Sequence, residues 1–235
     1  MGFLSPGPSP GFEASVKPGT AHAFDAWMAR RFPAVQFERY CDDIIVHARS
    51  ERHARLLRAA IAKRLAECGL ELNERKTRVV YCKDDDRRGS YEHTSFDFLS
   101  YTFRPRLSKS KFGKHFLNFT PAVSGEASKR MRREMRRWSI ARRSDKTLTD
   151  LARMFNAVIQ GWINYSGRFY KSMLYPVFRH FNDLLVMWAM RKYKRLRRHK
   201  GRARRFIADV ARRQPALFAH WRWGLRPDGW TMGAR

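Results

Sequence analysis

Cysteine is scarce in this 235-residue chain: Cys41, Cys68 and Cys82 are odd in number, far apart and without a Cys-x-x-Cys pair. That spacing excludes a disulfide framework and a zinc ribbon, and it fits a reducing compartment. Long apolar runs are missing too, since no stretch approaches the roughly 18 residues that a spanning helix needs. The N-terminus has no positive segment followed by an apolar one, and "MGFLSP" puts Pro6 where a myristoylation signal has Ser or Thr. Acidic residues are few: 21 Asp and Glu face 49 Lys and Arg, for a net charge of +28. Like charge on that scale opposes folding through self-repulsion, so it points to a polyanionic partner, nucleic acid first and an anionic membrane surface second. Hydrophobic residues make up 43% of the chain, enough to bury the core of one large or two small domains.

Residues 1–22 are rich in Pro and Gly and read as a flexible lead. "AHAFDAWMARRF" then carries helical spacing up to Pro33. "VQFERYCDDIIVHA" alternates before an apolar run, which predicts two short strands meeting at Cys41, Asp42 and Asp43. Ser50 is placed to cap a helix whose apolar face is Ala54, Leu57, Ile61, Leu65 and Cys68, with Gly69 as its stop. "LELNERKTRVVYCK" predicts strand, turn and strand. "SFDFLSYTFRPR" predicts one further strand, with Phe96, Phe98 and Ser100 on one face.

Beyond Pro121 the pattern becomes helical: a basic helix, a stripe of Leu148, Leu151, Phe155, Val158 and Trp162, then one of Val177, Phe181, Leu184 and Trp188 behind Pro176. These stripes read as mutual packing. The fold class is therefore α+β, an antiparallel sheet with helices followed by an all-α basic bundle. Boundaries fall at 23–106, a connecting strand or linker at 107–122, the bundle at 123–224 and a tail at 225–235.

Two features carry chemistry. The first is "RYCDDIIV", where adjacent carboxylates interrupt a buried-strand pattern. Asp-Asp there is either a plain hairpin turn or a pair that needs a cation between its charges. The second is the bundle's charge: from Lys129 to Arg213, 25 Lys and Arg face five acids (Glu134, Asp145, Asp150, Asp183 and Asp209). "RKYKRLRRHKGRARR", from Arg191 to Arg205, has no acid at all, unlike solvated helix faces, which normally carry charges of both signs. A polyphosphate-binding surface is the better reading. Trp138, Trp162, Tyr165, Tyr170 and Tyr193 lie among these charges, as core residues or as stacking platforms for unpaired bases.

The order of these features resembles the C-terminal part of bacterial group II intron reverse transcriptase/maturases. Tyr40-Cys41-Asp42-Asp43 matches the Tyr-x-Asp-Asp palm hairpin, "GLELNERKT" the next palm motif, "FDFLSYTF" the strand leaving the palm, and the bundle with "GWINYSGRF" the thumb, or domain X. The likeness runs from about Ala23 to Gly224. It implies RNA-directed DNA polymerisation and support of intron splicing as family activities, magnesium as cofactor, and Asp42 and Asp43 as catalytic metal-binding residues. Asp42 would be the direct ligand and Asp43 a neighbouring ligand or electrostatic support, with Tyr40 and Cys41 beside them. Lys76 would contact nucleotide or primer phosphate, or else be a solvated turn lysine. The implied RNA-binding residues are Arg132, Arg133, Arg136, Arg137, Arg191, Lys192, Lys194, Arg195, Arg197, Arg198, Lys200, Arg204 and Arg205. Implied partners are group II intron RNA, a DNA primer or target, and a separate polypeptide completing the palm; no membrane is among them, and the expected location is the bacterial cytoplasm.

Some positions depart from the family. Cys41 stands where Ala is common, and Ser100 where Gly is usual. The family's earlier catalytic Asp, its fingers and a Pro-Gln-Gly motif belong upstream of the helix with Trp27, where this chain has its Pro/Gly-rich lead. Asp25 is no substitute, because it follows the missing motif. The expectation is a truncated or remnant protein that retains RNA binding and is inactive alone as a polymerase. The alternative is a stand-alone splicing helper with a relic palm.

Overall fold

Ser50 starts the helix that organises the first half of the chain: its hydroxyl accepts the amide of His53, satisfying one of the donors a helix start leaves open. In the computed structural model, which describes Glu13–Ala14 and residues 21–87 and 89–230, this helix is α2, Glu51–Glu67. It buries Ala54, Leu57, Ile61 and Leu65, and Gly69 takes the left-handed conformation (φ 69°) that lets the chain leave it. Cys68, expected on the apolar face, is exposed, because it lies just past the last helical residue.

The chain divides into two compact units, Met1–Pro121 and Ala122–Arg235. In the first, α1 (Ala21–Arg31) and α2 cover a three-stranded antiparallel sheet. Its central strand is β3 (Asp43–Val46), flanked by β1 (Glu13–Ala14) and β2 (Phe37–Tyr40). Phe24 and Met28 of α1, Ile44 and Val46 of β3, and the α2 stripe form one core, each large side chain contributing about 1.5–3 kcal/mol by burial. Of the Pro/Gly-rich lead, Glu13–Ala14 pair with β3 and the helix begins at Ala21; the rest lies outside the described residues.

Two strand expectations fail. Residues 70–83 form no ladder beyond a single bridge at Val80. Leu70, Leu72 and Val79 pack their side chains on the first core, while the backbone turns at Glu74–Lys76, where Asn73 accepts the amides of Lys76 and Thr77. The stretch "FDFLSYTF" is a hairpin, not one strand: β4 (Phe96–Phe98) pairs with β5 (Tyr101–Lys109) across Leu99 and Ser100, which both have positive φ (49° and 67°). A two-residue hairpin loop demands that geometry, and Leu-Ser does not announce it. β6 (His115–Val123) follows β5 in the same sheet, so residues 107–122, expected as a connecting segment, form most of a second hairpin. Phe96 and Phe103 stack face to face at 4.9 Å on this sheet.

The second unit is a helical bundle around α5 (Tyr175–Lys192), with Pro176 in its first turn as expected. Val177, Phe178, Phe181, Leu185 and Trp188 of α5 are fully buried among α3 (Gly125–Arg137), α4 (Leu148–Ser166), α6 (Lys200–Arg213) and α7 (Ala219–Arg222). Ser124 caps α3, and Thr147 with Asp150 forms a reciprocal capping box on α4. The stripe of α4 is corrected by one residue: Leu151, Phe155, Ile159 and Ile163 are buried, whereas Val158 is 42% exposed. Seven-residue spacing drifts off a straight helix with 3.6 residues per turn. The expected tail contributes too. Leu225–Arg226 (β7) pairs with Gly229–Trp230 (β8), and the buried Asn182 amide donates to the Leu225 carbonyl.

Candidate functional site

The paired carboxylates sit on the hairpin between β2 and β3. Tyr40 pairs with Asp43, so the two-residue loop is Cys41-Asp42, with Cys41 at φ 55° as primed hairpin turns require of their first position. Asp42 is exposed in the turn and Asp43, the first residue of β3, is half-buried. Tyr40 and Cys41 are exposed beside them. The hairpin turn is thus what the structure forms here, with both carboxylates at its tip.

Burial raises the Asp43 carboxyl above the ordinary carboxylate range; the charge of Asp42 adds to this, and the Lys76 ammonium opposes it. The turn that begins at Glu74 thus brings Lys76 within electrostatic reach of the carboxylates. A divalent cation would relieve the repulsion directly, and two adjacent carboxylates are the hard oxygen donors that a partly hydrated magnesium ion takes. Among the described residues no group of three or more His, Cys, Asp and Glu side chains gathers in ligating positions. Asp42 and Asp43 are thus the residues that would hold a magnesium ion, as oxygen donors without a third clustered ligand among the described residues.

Sequence reading passed over Arg39. Its Nε and one terminal nitrogen hold both oxygens of Asp25 at 2.8 and 2.7 Å, and its other terminal nitrogen donates to the carbonyl of Cys41 at 3.1 Å. Arg39 thereby ties α1 to the carboxylate turn. The available signal was a cation on the half-buried face of β2, which alternates with exposed Glu38 and Tyr40.

The cations of the bundle fall into two sets. Lys192 donates to the carbonyls of Ser144 and Lys146 at 2.8 and 2.9 Å, Arg204 pairs with Asp183 at 2.9 Å, Arg137 with Glu134 at 3.4 Å, and Arg191 reaches the carbonyl of Ala141 at 3.4 Å. The other set is exposed with no carboxylate partner among the described residues: Arg133 and Arg136 on α3, and Lys194, Arg195, Arg197, Arg198, Lys200 and Arg205 around the start of α6. Arg132 is half-buried. The field they create is visible at His180 on α5, whose pKa is lowered first by burial and then by Arg136 and Arg132. His199 leaves the start of α6 without a side-chain cap, so amide donors and cations face solvent together.

The aromatic residues sort likewise. Trp138 is buried and stacks on Phe155 and Trp162, and Tyr193 packs against Trp188 and Phe206, so these rings belong to the core. Tyr165 is 51% exposed, while Tyr170 is half-buried.

Among the described residues no helix is long and apolar enough to cross a membrane. Residues 19–103 match the reverse transcriptase (RNA-dependent DNA polymerase) family, and residues 128–206 match the group II intron, maturase-specific domain. No curated protein matches the chain significantly. The two matched segments follow the order of the two units, the carboxylate hairpin in the first and the basic helices in the second, and together they span more than half of the sequence. The chain belongs to the group II intron reverse transcriptase/maturase family.

Proposed function

We propose that this chain binds group II intron RNA through the exposed cations of its bundle and supports folding or splicing of that RNA without extending primers by itself. The observation that carries the reading is the group Lys194, Arg195, Arg197, Arg198, Lys200 and Arg205, exposed and without carboxylate partners among the described residues. Cations left unpaired are free to displace counterions from phosphates, the main source of affinity for nucleic acid. RNA comes before a DNA primer or target because the maturase-specific match covers these residues.

Asp42 and Asp43 would hold magnesium, which supplies charge neutralisation at a transferring phosphoryl group when bound. Asp43 stands fixed by the β2–β3 register, and the exposed Lys76, whose charge acts on Asp43, is a cation that would attract a phosphate. Phosphoryl transfer depends on in-line geometry fixed by more ligands than two adjacent carboxylates provide. A polypeptide contributing a third carboxylate would complete the palm. A reducing, cytoplasmic location suits the three free thiols.

The test is one preparation assayed for intron RNA binding and for primer extension with magnesium. Binding without extension is the expected result. Extension that disappears in Asp42→Asn would overturn the second half of the reading, and no affinity for intron RNA would overturn the first.

A further inference from the structure

The first unit carries a second cationic feature, away from the carboxylate hairpin. A cleft of about 1020 Å³ lies between the start of α2, residues of the Glu74–Tyr81 segment, and Arg87, Tyr91, Glu92 and His93. Neither Asp42, Asp43 nor Lys76 lines it. Arg49 and Ser50, which do, follow β3 at the end opposite Asp43.

Three of its arginines are already paired: Arg55 with Glu51, Arg58 with Glu74 and Arg87 with Asp84. Arg49, Arg75 and Arg78 are exposed and have no carboxylate partner among the described residues. Between the last two stands Thr77, only 4% exposed, whose hydroxyl oxygen is buried with no hydrogen-bond partner. An unsatisfied buried hydroxyl costs about 1–3 kcal/mol, and Thr77 belongs to the cleft lining, so a ligand seated there would recover that cost. The remaining wall holds Val79, the two rings of Tyr81 and Tyr91, and Glu92, whose carboxylate lies 3.9 Å from His93. Tyr81 and Tyr91 stack with centroids 4.1 Å apart, and Tyr91 keeps 45% of its surface exposed.

We infer that this cleft binds a nucleoside phosphate: Arg49, Arg75 and Arg78 take the phosphate, Thr77 supplies a hydroxyl to the same ligand, and the outer face of Tyr91 stacks on the base. Guanidinium groups pair with phosphate in fork geometry, which separates this chemistry from that of a simple apolar pocket. A ring stacked on Tyr81 that keeps 45% of its surface exposed is a platform for a flat base, and an acidic peptide would leave it unused. The ligand is either a free nucleotide or one nucleotide of a single strand. This site is independent of the RNA surface on the bundle.

The experiment uses the full chain and a tetranucleotide containing 4-thiouridine, cross-linked by light and mapped by mass spectrometry. Cross-links are expected at Tyr81 or Tyr91. Their yield at sub-saturating probe should fall about tenfold in R75A/R78A, the scale of one lost charge-assisted hydrogen bond. The Thr77→Val protein, which keeps side-chain volume, should melt no lower than the parent and yet cross-link severalfold less. The bundle variant R197A/R198A/K200A should leave the cleft cross-link unchanged. Displacement by excess AMP identifies a free nucleotide as the source; displacement only by longer RNA identifies a strand, and either result supports the site. Cross-links confined to the bundle, or a cleft yield unaltered in R75A/R78A, would overturn the proposal.

Discussion

Arg39 and Asp25 form a bidentate pair, 2.8 and 2.7 Å, that fastens α1 to the strand leading into the carboxylate turn. The third arm of the same guanidinium holds the Cys41 carbonyl, in a turn whose first residue has φ 55°. Asp25, set aside as a catalytic residue on sequence grounds, thus has a positioning role one step removed from Asp42. Arg39→Ala should destabilise the first unit by about 1–2 kcal/mol, with an Arg39–Asp25 coupling near 1 kcal/mol because both side chains are partly solvated. Urea denaturation of the two single variants and the double variant measures it. A coupling of zero would mean that the pair does not hold the turn.

Ser100 offers the opposite case, a position where a change should stabilise. It sits at φ 67° in the β4–β5 loop, a conformation that costs an L-residue about 1–2 kcal/mol and glycine almost nothing. Ser100→Gly should raise the melting temperature, with a gain of about 0.5–1 kcal/mol after the extra entropy of glycine in the unfolded chain. A melting temperature that falls would argue against the two-residue turn.

His220 sets an acid limit on the bundle. It is fully buried, its Nε2 shares a 2.8 Å hydrogen bond with the Asn182 side chain, and burial pushes its pKa down to about 3. A folded pKa below the unfolded one means that the unfolded state takes up the proton first. Stability is therefore full above about pH 6.5 and declines as pH falls from there toward 3, by up to about 1.4 kcal/mol per pH unit from this residue. Replacing His220 with Gln should flatten that slope between pH 6 and pH 4, as followed by urea denaturation at each pH. An unchanged slope would assign the acid sensitivity to other groups.

Trp138 tests the sorting of aromatic residues. It is 9% exposed, lies 4.4 Å from Phe155 and 5.4 Å from Trp162 in parallel stacks, and donates its indole N–H to Glu134. Trp138→Ala should cost about 3–5 kcal/mol, as large-to-small changes in cores do. Lost RNA affinity at unchanged stability would instead make it a base-stacking residue.

What could be read in advance was what local chemistry decides. The Ser50 cap, the Gly69 stop, Pro176 at a helix start and the hairpin around Asp42 each depend on neighbours in sequence, and each is found in the fold. Pairing between distant segments was not legible. Residues 70–83 alternate like a strand, but their pairing stops at the Val80 bridge and the hydrogen bond from the Tyr81 amide to the His93 carbonyl, and Leu99-Ser100 adopts a turn normally signalled by Asn-Gly. The same limit applies to the sites. A run of cations marks a charged surface, but not that Lys192 is held by two carbonyls and Arg204 by Asp183. Nor does any pattern announce that Thr77 would be buried with its hydroxyl unpaired on a cleft wall.

The central claim is that the exposed cations around the start of α6 bind RNA through its phosphates. The most direct test is the slope of log affinity against log salt for intron RNA, measured for the parent chain and for R197A/R198A/K200A. Each phosphate contact contributes about 0.7–0.9 to that slope, so the parent should fall steeply and the triple variant less so, by roughly 2–3 units. Both proteins should melt alike, since exposed charges contribute little to stability. A nearly flat parent slope, or a triple variant with the parent's slope and affinity, would contradict the account.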